Sequence, residues 1–328
     1  MLSTYNRLAY SHLIAKFCVY GFTLEVIEKQ YAAPGRYYHN IDHIEFMTNK
    51  ALGPQYNFES HPILFLAILF HDYFYDIKSS ENEQKSADFA RVNIKHKFLG
   101  NAVAEAILHE GNWGKVLDEF DYAIFEQDSS LVLDYDRKIF KEYQQFSWEK
   151  YKEGRTKFLQ SSYDRYKYLD GTIAAGMLLL INHYKTWKPN IGLVAGSFNP
   201  FHAGHLNVLQ KAEQIFDKVI VAQGRNINKE RPESIFGVNE LDFRQKIEYS
   251  GLITDVLEEN GNPVLIRGLR SVTDVPAEMA FLRHLQDIKP DVRVAHIFCD
   301  SQFEHVSSSA IRELKNYAGG HENKYIVK

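Results

Sequence analysis

A chain of 328 residues, 45% hydrophobic and 24% charged, has the composition of a folded globular protein and is long enough for two domains. Its net charge of −4 and its lack of a basic stretch interleaved with aromatic residues exclude a general nucleic-acid binder. The longest apolar run, Ile63 to Phe70, is short and the first residues lack the pattern of a signal peptide, so we expect neither a membrane span nor a secretion signal. The two cysteines, Cys18 and Cys299, are expected to be reduced core thiols of a cytoplasmic protein.

Residues 1–188 have the apolar spacing of helices. Apolar positions recur three and four residues apart in 24–31 and again from Ser86 to Phe98, where Gly100 predicts the end of a helix. The run Ile63 to Phe70 is apolar on every side, so we expect a central helix buried by its neighbours. The first part of the chain is therefore predicted to be an all-helical domain.

From Ile191 the pattern changes to strands that alternate with helices. The apolar runs that predict strands lie at 191–195, 218–222, 264–266 and 292–298. Continuous apolar strands between helices indicate a parallel sheet covered on both faces, which binds ligands at the carboxyl ends of its strands. Because Pro189 removes a backbone donor and disfavours a helix before it, we place the domain boundary there. The predicted architecture is a helical domain, 1–188, followed by an α/β domain, 189–328.

The first predicted strand ends in Gly196-Ser-Phe-Asn-Pro, followed by His202-Ala-Gly-His205. A strand, a tight loop and a helix that begins near His205 place unpaired backbone N–H groups and the positive end of a helix dipole together, which favours an anion. The two histidines add polar groups that can be neutral or charged at pH 7. This motif resembles the signature of the nucleotidylyltransferase superfamily, whose members transfer a nucleotidyl group from a nucleoside triphosphate to a phosphate and release pyrophosphate.

Further polar groups follow the later predicted strands. Lys229 follows the second strand, and Arg267 and Arg270 follow the third, with Glu278 one turn into the next helix. Three serines, 307–309, begin the helix after the last strand. They can cap that helix or hold phosphate groups, and the histidine motif favours the phosphate.

Within the superfamily, Arg267-Gly-Leu-Arg270 and Val306-Ser-Ser-Ser resemble bacterial phosphopantetheine adenylyltransferase, which makes dephospho-coenzyme A and pyrophosphate from 4′-phosphopantetheine and ATP. The resemblance covers about residues 191–320. It implies a Rossmann-like fold, ATP with Mg²⁺, a phosphorylated small-molecule acceptor, and a homo-oligomer, which is a hexamer for isolated transferase domains.

The same resemblance assigns roles to particular residues. The catalytic residues that it implies are His202, His205, Lys229 and Arg270. The substrate-binding and ATP-binding residues that it implies are Ser197, Phe198, Arg267, Glu278, Ser307, Ser308 and Ser309. In this assignment His205 stabilises the pentacovalent transition state, His202 assists at the triphosphate, and the three serines hold the leaving pyrophosphate. Such chemistry needs positioning and charge neutralisation and no nucleophilic side chain.

Some positions depart from that family. Ala277 stands where an aromatic residue is usual, and Leu285 or Gln286 where an asparagine helps to hold the pantetheine arm. Ser-Phe-Asn-Pro replaces the commoner Thr-Phe-Asp-Pro, a form also seen in enzymes that adenylylate nicotinate or nicotinamide mononucleotide. A pyridine mononucleotide is therefore the alternative acceptor.

The helical half carries a second polar constellation. His71 and Asp72 end the apolar run, and His39 and His43 lie upstream. The downstream candidates are His109, Asp118, Asp121 and Asp128. A histidine and a carboxylate at the end of an apolar helix are costly to bury unpaired. Imidazoles with carboxylates suit Mn, Fe, Zn or Mg, and such a metal would supply hydroxide for attack on a phosphoester.

This constellation resembles the HD superfamily of metal-dependent phosphohydrolases. The resemblance covers about residues 1–160, with Tyr-His-Asn-x-x-His-Ile at 38–44, Phe-His-Asp-x-x-Tyr-Asp at 70–76, and Asn-Glu-x-x-Ser-Ala at 82–87. The metal ligands that it implies are His39, His71, Asp72 and Asp121. His43 and His109 would face the substrate or be further ligands. The sequence thus predicts an adenylyltransferase fused to a phosphohydrolase of unknown substrate, or to an HD domain that is regulatory or structural.

Overall fold

The computed structural model describes residues 1–225 and 234–327. Its contacts divide the chain into two compact units, Met1–Tyr143 with Lys152–Thr186, and Gln144–Tyr151 with Trp187–Lys328. The first unit is helical, and the second is built around a parallel sheet. This confirms the predicted fold class, a helical region followed by a Rossmann-like domain.

Helices account for nearly all regular structure before residue 187. In chain order they are α1 (Thr4–Phe17), α2 (Leu24–Tyr31), α3 (Ile41–Ala51), α4 (Pro62–Phe70), α5 (Asn82–Asn93), α6 (Lys97–Ile107), α7 (Gly111–Asp121), α8 (Ser129–Glu142), α9 (Trp148–Tyr166) and α10 (Gly171–Thr186). Helix α4 is the predicted central helix, because every residue from Leu64 to Phe70 is buried. His71 and Asp72 follow directly after the carboxyl end of this buried helix.

The predicted helix end at Gly100 is wrong. The chain leaves helical geometry earlier, at Ile94, which forms an isolated antiparallel bridge with Cys18. Gly100 lies inside α6 instead. A Cβ atom there would lie 3.5 Å from the backbone of Arg91, an ordinary packing distance, so Gly100 lies where α6 packs against α5.

Within the residues that the structure describes, the second unit contains five parallel strands and the helices between them. The strands are β1 (Ile191–Gly196), β2 (Lys218–Gly224), β3 (Lys246–Tyr249), β4 (Val264–Leu269) and β5 (Val294–Phe298). The helices are α11 (Ala203–Ala212), α12 (Ile253–Glu259), α13 (Val275–Ile288) and α14 (Ser308–Leu314). The strand order is β3-β2-β1-β4-β5, so the order reverses between β1 and β4. The carboxyl ends of those two strands are where an open α/β sheet binds its ligand.

Both faces of this sheet are covered, as the apolar strands predict. Within β1, Leu193 belongs to the core on one face and Val194 to the core on the other. Strand β3 is not predicted by the sequence pattern. Its four residues lie at the sheet edge, pair with β2 and are half-buried, so it lacks the continuous apolar run of a central strand.

Both cysteines lie in hydrophobic cores, as the sequence predicts. Cys18 and Cys299 are buried and form no disulfide. Burial raises the pKa of the Cys18 thiol to about 11, which keeps it protonated at neutral pH. Among the described residues, no helix combines the length and the apolar composition that spanning a bilayer requires.

Candidate active sites

His202 and His205 form a closed pair at the start of α11. Nδ1 of His202 accepts the backbone N–H of His205 at 3.4 Å, and Nδ1 of His205 accepts the backbone N–H of His202 at 3.3 Å. The two rings stack with their centroids 3.5 Å apart. Because each Nδ1 accepts a hydrogen bond, the hydrogen of each neutral ring sits on Nε2. The pair therefore offers two Nε2–H donors at a helix N-terminus.

Both imidazoles are neutral at pH 7. Burial, together with the positive charge of Arg270, lowers the pKa of His202 to about 4. Burial and the neighbouring His202 hold the pKa of His205 well below its usual range. The sequence alone leaves the charge of the two imidazoles open, and the lowered pKa values favour the neutral form of both. An anion in this site would therefore meet two N–H dipoles rather than two cations.

The small and aromatic residues of the motif hold the histidines in place. A Cβ atom on Gly204 would lie 3.2 Å from the ring of His202. Any larger residue there would push the ring out of its present position. Phe198, to which the resemblance gives a binding role, is buried, and its ring packs edge-on against His205 at 5.0 Å. Phe201 packs against the same imidazole at 5.4 Å. The loop thus encloses His205 between aromatic rings.

A cleft of about 330 Å³ opens beside the pair. It is lined by the histidines, by Arg270 after β4 and by the three serines at the start of α14. The structure therefore brings together six of the residues that the sequence singles out, at the carboxyl ends of strands that are far apart in the sequence. Its composition, N–H donors with a guanidinium group, suits a phosphorylated ligand.

The three serine hydroxyls already have partners in the protein. Ser307 caps α14 by accepting the N–H of Ala310 at 3.1 Å. The Ser308 hydroxyl donates to the carbonyl of Pro200 at 3.1 Å, and the Ser309 hydroxyl accepts from Arg312 at 3.0 Å. Capping and lining of the cleft therefore coexist, and Ser308 also ties α14 to the histidine loop.

Among the described residues, the charged side chains that the sequence predicts after β4 are paired within the protein. Arg267 makes a bidentate ion pair with Glu278, at 2.8 and 2.7 Å. Arg270 pairs with Asp274 at 2.9 Å. Ser197 is exposed in the loop after β1. Lys229 lies outside the described residues.

The sequence did not reveal Gln223, which supports this loop. It is fully buried at the carboxyl end of β2. Its amide nitrogen donates to the carbonyl of Ser197 at 3.0 Å, and its amide oxygen accepts the N–H of Ile235 at 3.0 Å. A single polar residue after an apolar run was the only local sign, and that pattern is typical of any strand end.

A second support comes from the far end of the chain. The N–H of Ala203 donates to the carbonyl of Tyr325 at 2.9 Å, and Ile326 forms an antiparallel bridge with His202. The spacing of apolar residues cannot predict this pairing, because the two segments are more than one hundred residues apart in the sequence.

In the helical unit, His43, His71 and Asp121 converge. One ligand atom from each lies within 4.8 Å of the others. His43 Nε2 lies 3.2 Å from Asp121 and 3.3 Å from His71 Nε2, and Asp72 lies 3.0 Å from His71 Nε2. Three of the four ligands implied by the sequence are thus adjacent, and His43 joins them.

His39, the fourth implied ligand, lies beside this group. Its ring centroid is 5.9 Å from that of His43, and its Nδ1 is 2.6 Å from Glu142. Nδ1 of His71 is likewise occupied, because it donates to the carbonyl of Ile68 at 3.0 Å. In both rings the lone pair of the neutral form is left on Nε2.

The donor set fits a divalent cation. It combines imidazole nitrogens with the carboxylates of Asp72 and Asp121, the ligand chemistry of Mn, Fe, Zn and Mg. Burial would raise the pKa of Asp72, but the nearby His71 and His39 lower it well below its usual range. Asp72 is therefore ionised and available as a ligand.

Other residues of the resembling motifs hold loops rather than the cluster. Asn40 caps α3 by accepting the N–H of Asp42 at 2.8 Å. Asn82 exchanges two hydrogen bonds with the backbone of Asp76, at 3.0 and 2.9 Å. Ser86 accepts the N–H of Phe74 at 3.1 Å. Asn82 and Ser86 thus fix the loop that follows His71 and Asp72, whereas Asn40 fixes the start of α3.

His109 and Asp118 form a separate ion pair. Nδ1 of His109 bonds to Asp118, which also pairs with Arg165 at 2.6 Å, and Glu83 lies 3.7 Å from the other ring nitrogen. The hydrogen bond to Asp118 and the nearby carboxylate of Glu83 raise the pKa of His109 to about 10, so this imidazole is charged at pH 7.

Comparison with known proteins identifies relatives of the C-terminal domain. Residues 193–314 match the cytidylyltransferase-like family. Phosphopantetheine adenylyltransferase of Alkaliphilus metalliredigens is 31% identical over 39% of this chain and 87% of its own length. The enzymes of the same name from Mycoplasma mycoides and Mycoplasma capricolum are 36% and 35% identical, over 37% and 39% of this chain and 94% and 97% of their own lengths. Through this domain the chain belongs to the phosphopantetheine adenylyltransferase family.

Proposed function

We propose that the C-terminal domain transfers the adenylyl group of ATP to the phosphate of 4′-phosphopantetheine, giving dephospho-coenzyme A and pyrophosphate. The observation that carries this proposal is the pair of neutral histidines whose Nε2–H groups stand at the N-terminus of α11, in a cleft shared with Arg270. Relatives of that name, at 31 to 36% identity, support the acceptor.

The reaction asks the protein for positioning and charge stabilisation. An oxygen of the acceptor phosphate attacks the α-phosphorus of ATP, which enters as its magnesium complex, and the bond to the bridging oxygen breaks with its electron pair leaving on pyrophosphate. The Nε2–H group of His205 donates a hydrogen bond to an oxygen on the α-phosphorus, where negative charge grows in the transition state. His202 and Arg270 donate to the triphosphate, and the start of α14 receives the pyrophosphate.

An acceptor screen tests this assignment. Pyrophosphate release from ATP would be measured with 4′-phosphopantetheine, nicotinamide mononucleotide and nicotinate mononucleotide offered separately to the intact chain. We expect turnover with 4′-phosphopantetheine only. Turnover confined to a pyridine mononucleotide would replace the proposed acceptor. One observation favours that alternative, since Leu285 is buried in the core and offers no polar group to a pantetheine arm.

We propose that the helical unit is a metal-dependent phosphohydrolase. The supporting observation is the convergence of His43, His71 and Asp121, with Asp72 in contact and His39 alongside. These five residues would hold the ion. A divalent metal bound there supplies a Lewis acid and lowers the pKa of a bound water, which suits hydrolysis of a phosphoester.

Removing the centre of this cluster tests the second proposal. The double variant His71→Ala, Asp72→Ala is expected to lose bound metal and phosphoesterase activity together. His12, exposed in α1 of the same unit, provides the matched control, because His12→Ala removes an imidazole far from the cluster in sequence. Retention of both metal and hydrolysis by the double variant would refute the site. Metal bound without any hydrolysis in the intact chain would favour a regulatory or structural role.

A further inference from the structure

A fully buried carboxylate stands behind the proposed metal site. Glu142, the last residue of α8, has no exposed side-chain surface. One of its oxygens accepts the backbone N–H groups of Tyr38 at 2.7 Å and of His39 at 2.9 Å. The other is 2.6 Å from Nδ1 of His39 and accepts the hydroxyl of Tyr75 at 2.7 Å. Four hydrogen bonds offset the cost of burying this charge.

These partners decide where His39 carries its hydrogen. An ionised carboxylate only accepts hydrogen bonds, so Nδ1 of His39 must donate. The neutral ring then has its lone pair on Nε2. The ring also stacks on Tyr75, with centroids 4.2 Å apart and planes inclined by 26°, so its orientation is fixed as well as its tautomer.

We propose that Glu142 is a positioning residue that holds His39 with its hydrogen on Nδ1 and thereby presents Nε2 to the divalent cation of the helical unit. The inference rests on the phosphohydrolase function proposed above. Histidines that bind metals usually donate their other N–H to a carboxylate or carbonyl, and the loss of such a partner weakens metal binding about 10-fold to 100-fold. Glu142 is 103 residues from His39 in the sequence, and neither resemblance assigns it a role.

Glu142→Gln is the informative substitution because it preserves the shape of the side chain and replaces one carboxylate oxygen, an acceptor, by an amide nitrogen, a donor. The amide oxygen can still accept the backbone N–H groups of residues 38 and 39. The amide nitrogen then faces Nδ1 of His39 as a donor, so Nδ1 must accept and the hydrogen moves to Nε2, the ligand atom. We expect Mn²⁺ and Zn²⁺, each measured alone by equilibrium dialysis, to bind about 10-fold to 100-fold more weakly than to the wild type.

A spectroscopic measurement reports the same change without activity. Nitrogen-15 NMR of the metal-free protein should show a hydrogen on Nδ1 of His39 in the wild type and none in Glu142→Gln. Tyr75→Phe is the matched control, since it removes one donor from the same carboxylate but leaves an acceptor for His39. It should keep the hydrogen on Nδ1 and a metal affinity near that of the wild type. In a His39→Ala background, Glu142→Gln should cause no further loss of affinity.

The outcomes separate the two proposals. A wild-type protein that binds neither Mn²⁺ nor Zn²⁺ would overturn the metal site, while the NMR measurement would still decide whether Glu142 sets the hydrogen on His39. A bare Nδ1 in the wild type, which needs no variant, would overturn the positioning role. So would unchanged metal affinity in a folded Glu142→Gln protein, or an equal loss in the presence and the absence of His39.

Discussion

The two units use buried histidines in opposite ways. In the transferase domain, Nδ1 of His202 and of His205 accepts a backbone N–H, so Nε2 carries the hydrogen. In the helical unit, Nδ1 of His39 and of His71 faces an acceptor, a carboxylate in one case and a carbonyl in the other, so Nε2 of the neutral ring carries the lone pair. The partner of the inner nitrogen thus decides whether the outer nitrogen of the neutral ring has a hydrogen to donate or a lone pair that suits a cation.

Nearby charge reinforces the difference. The pKa of His202 falls to about 4, because burial and Arg270 both disfavour its charged form. Burial acts on His71 as well, but the carboxylate of Asp72 outweighs it and raises the pKa to about 9. Carboxylates surround the histidines of the helical unit, whereas an arginine approaches the histidine pair of the transferase. The first environment suits a cation and the second suits a polyphosphate.

The largest expected effect comes from removing the Nε2–H donor of His205 in the transferase site. His205→Ala should lower kcat by about 10²-fold to 10³-fold and change the KM for ATP little, because its hydrogen bond strengthens in the transition state. Steady-state kinetics of pyrophosphate release would measure both constants. His284→Ala, at an exposed position of α13, is the matched control and should behave as the wild type. Equal losses in kcat and in ATP affinity would show that the role of His205 is misassigned.

A smaller effect concerns stability at low pH. The native pKa of His202 is about 4 and its ordinary value is 6.5, so between these values the unfolded chain binds more protons. The free energy of unfolding should therefore fall as the pH falls from 6.5 to 4, by about 3 kcal/mol from this group. Urea unfolding of the intact protein at several pH values would measure the slope. His202→Gln should have a shallower slope, and an unchanged slope would contradict a buried neutral imidazole.

The smallest expected effect tests the packing of the histidine pair. Gly204→Ala adds a Cβ atom 3.2 Å from the ring of His202, which must shift. We expect a loss of about 1–3 kcal/mol in stability and a fall in kcat of about 10-fold as the donors move. Gly154→Ala in α9 is the control, because its Cβ would meet open space and the change should stabilise the helix by about 0.5–1 kcal/mol. Full activity in Gly204→Ala would show that the ring position matters little.

Local patterns predicted the parts of the molecule that local chemistry determines. The strand before Gly196 and the buried helix that leads to His71 and Asp72 each have their signals within a few residues. The motif also placed His202 and His205 at a helix N-terminus. Their tautomer and charge could not be predicted, because these depend on the backbone N–H groups and the burial that the fold supplies.

The residues missed by the sequence argument are buried polar side chains with distant partners. Gln223 and Glu142 look like ordinary polar positions in the sequence, and each gains its role from groups far along the chain. Gly100 shows the converse error, where a helix-ending signal proved to be a point of close helix packing. Periodicity reports which face of an element is buried, but it does not report which element will lie against that face.

Nitrogen-15 NMR of the four histidines in the metal-free, ligand-free protein at pH 7 tests the central comparison most directly. We expect a hydrogen on Nδ1 of His39 and of His71, and a bare Nδ1 with the hydrogen on Nε2 in His202 and His205. The same protonation of Nδ1 in both pairs, or the reverse of this pattern, would contradict it.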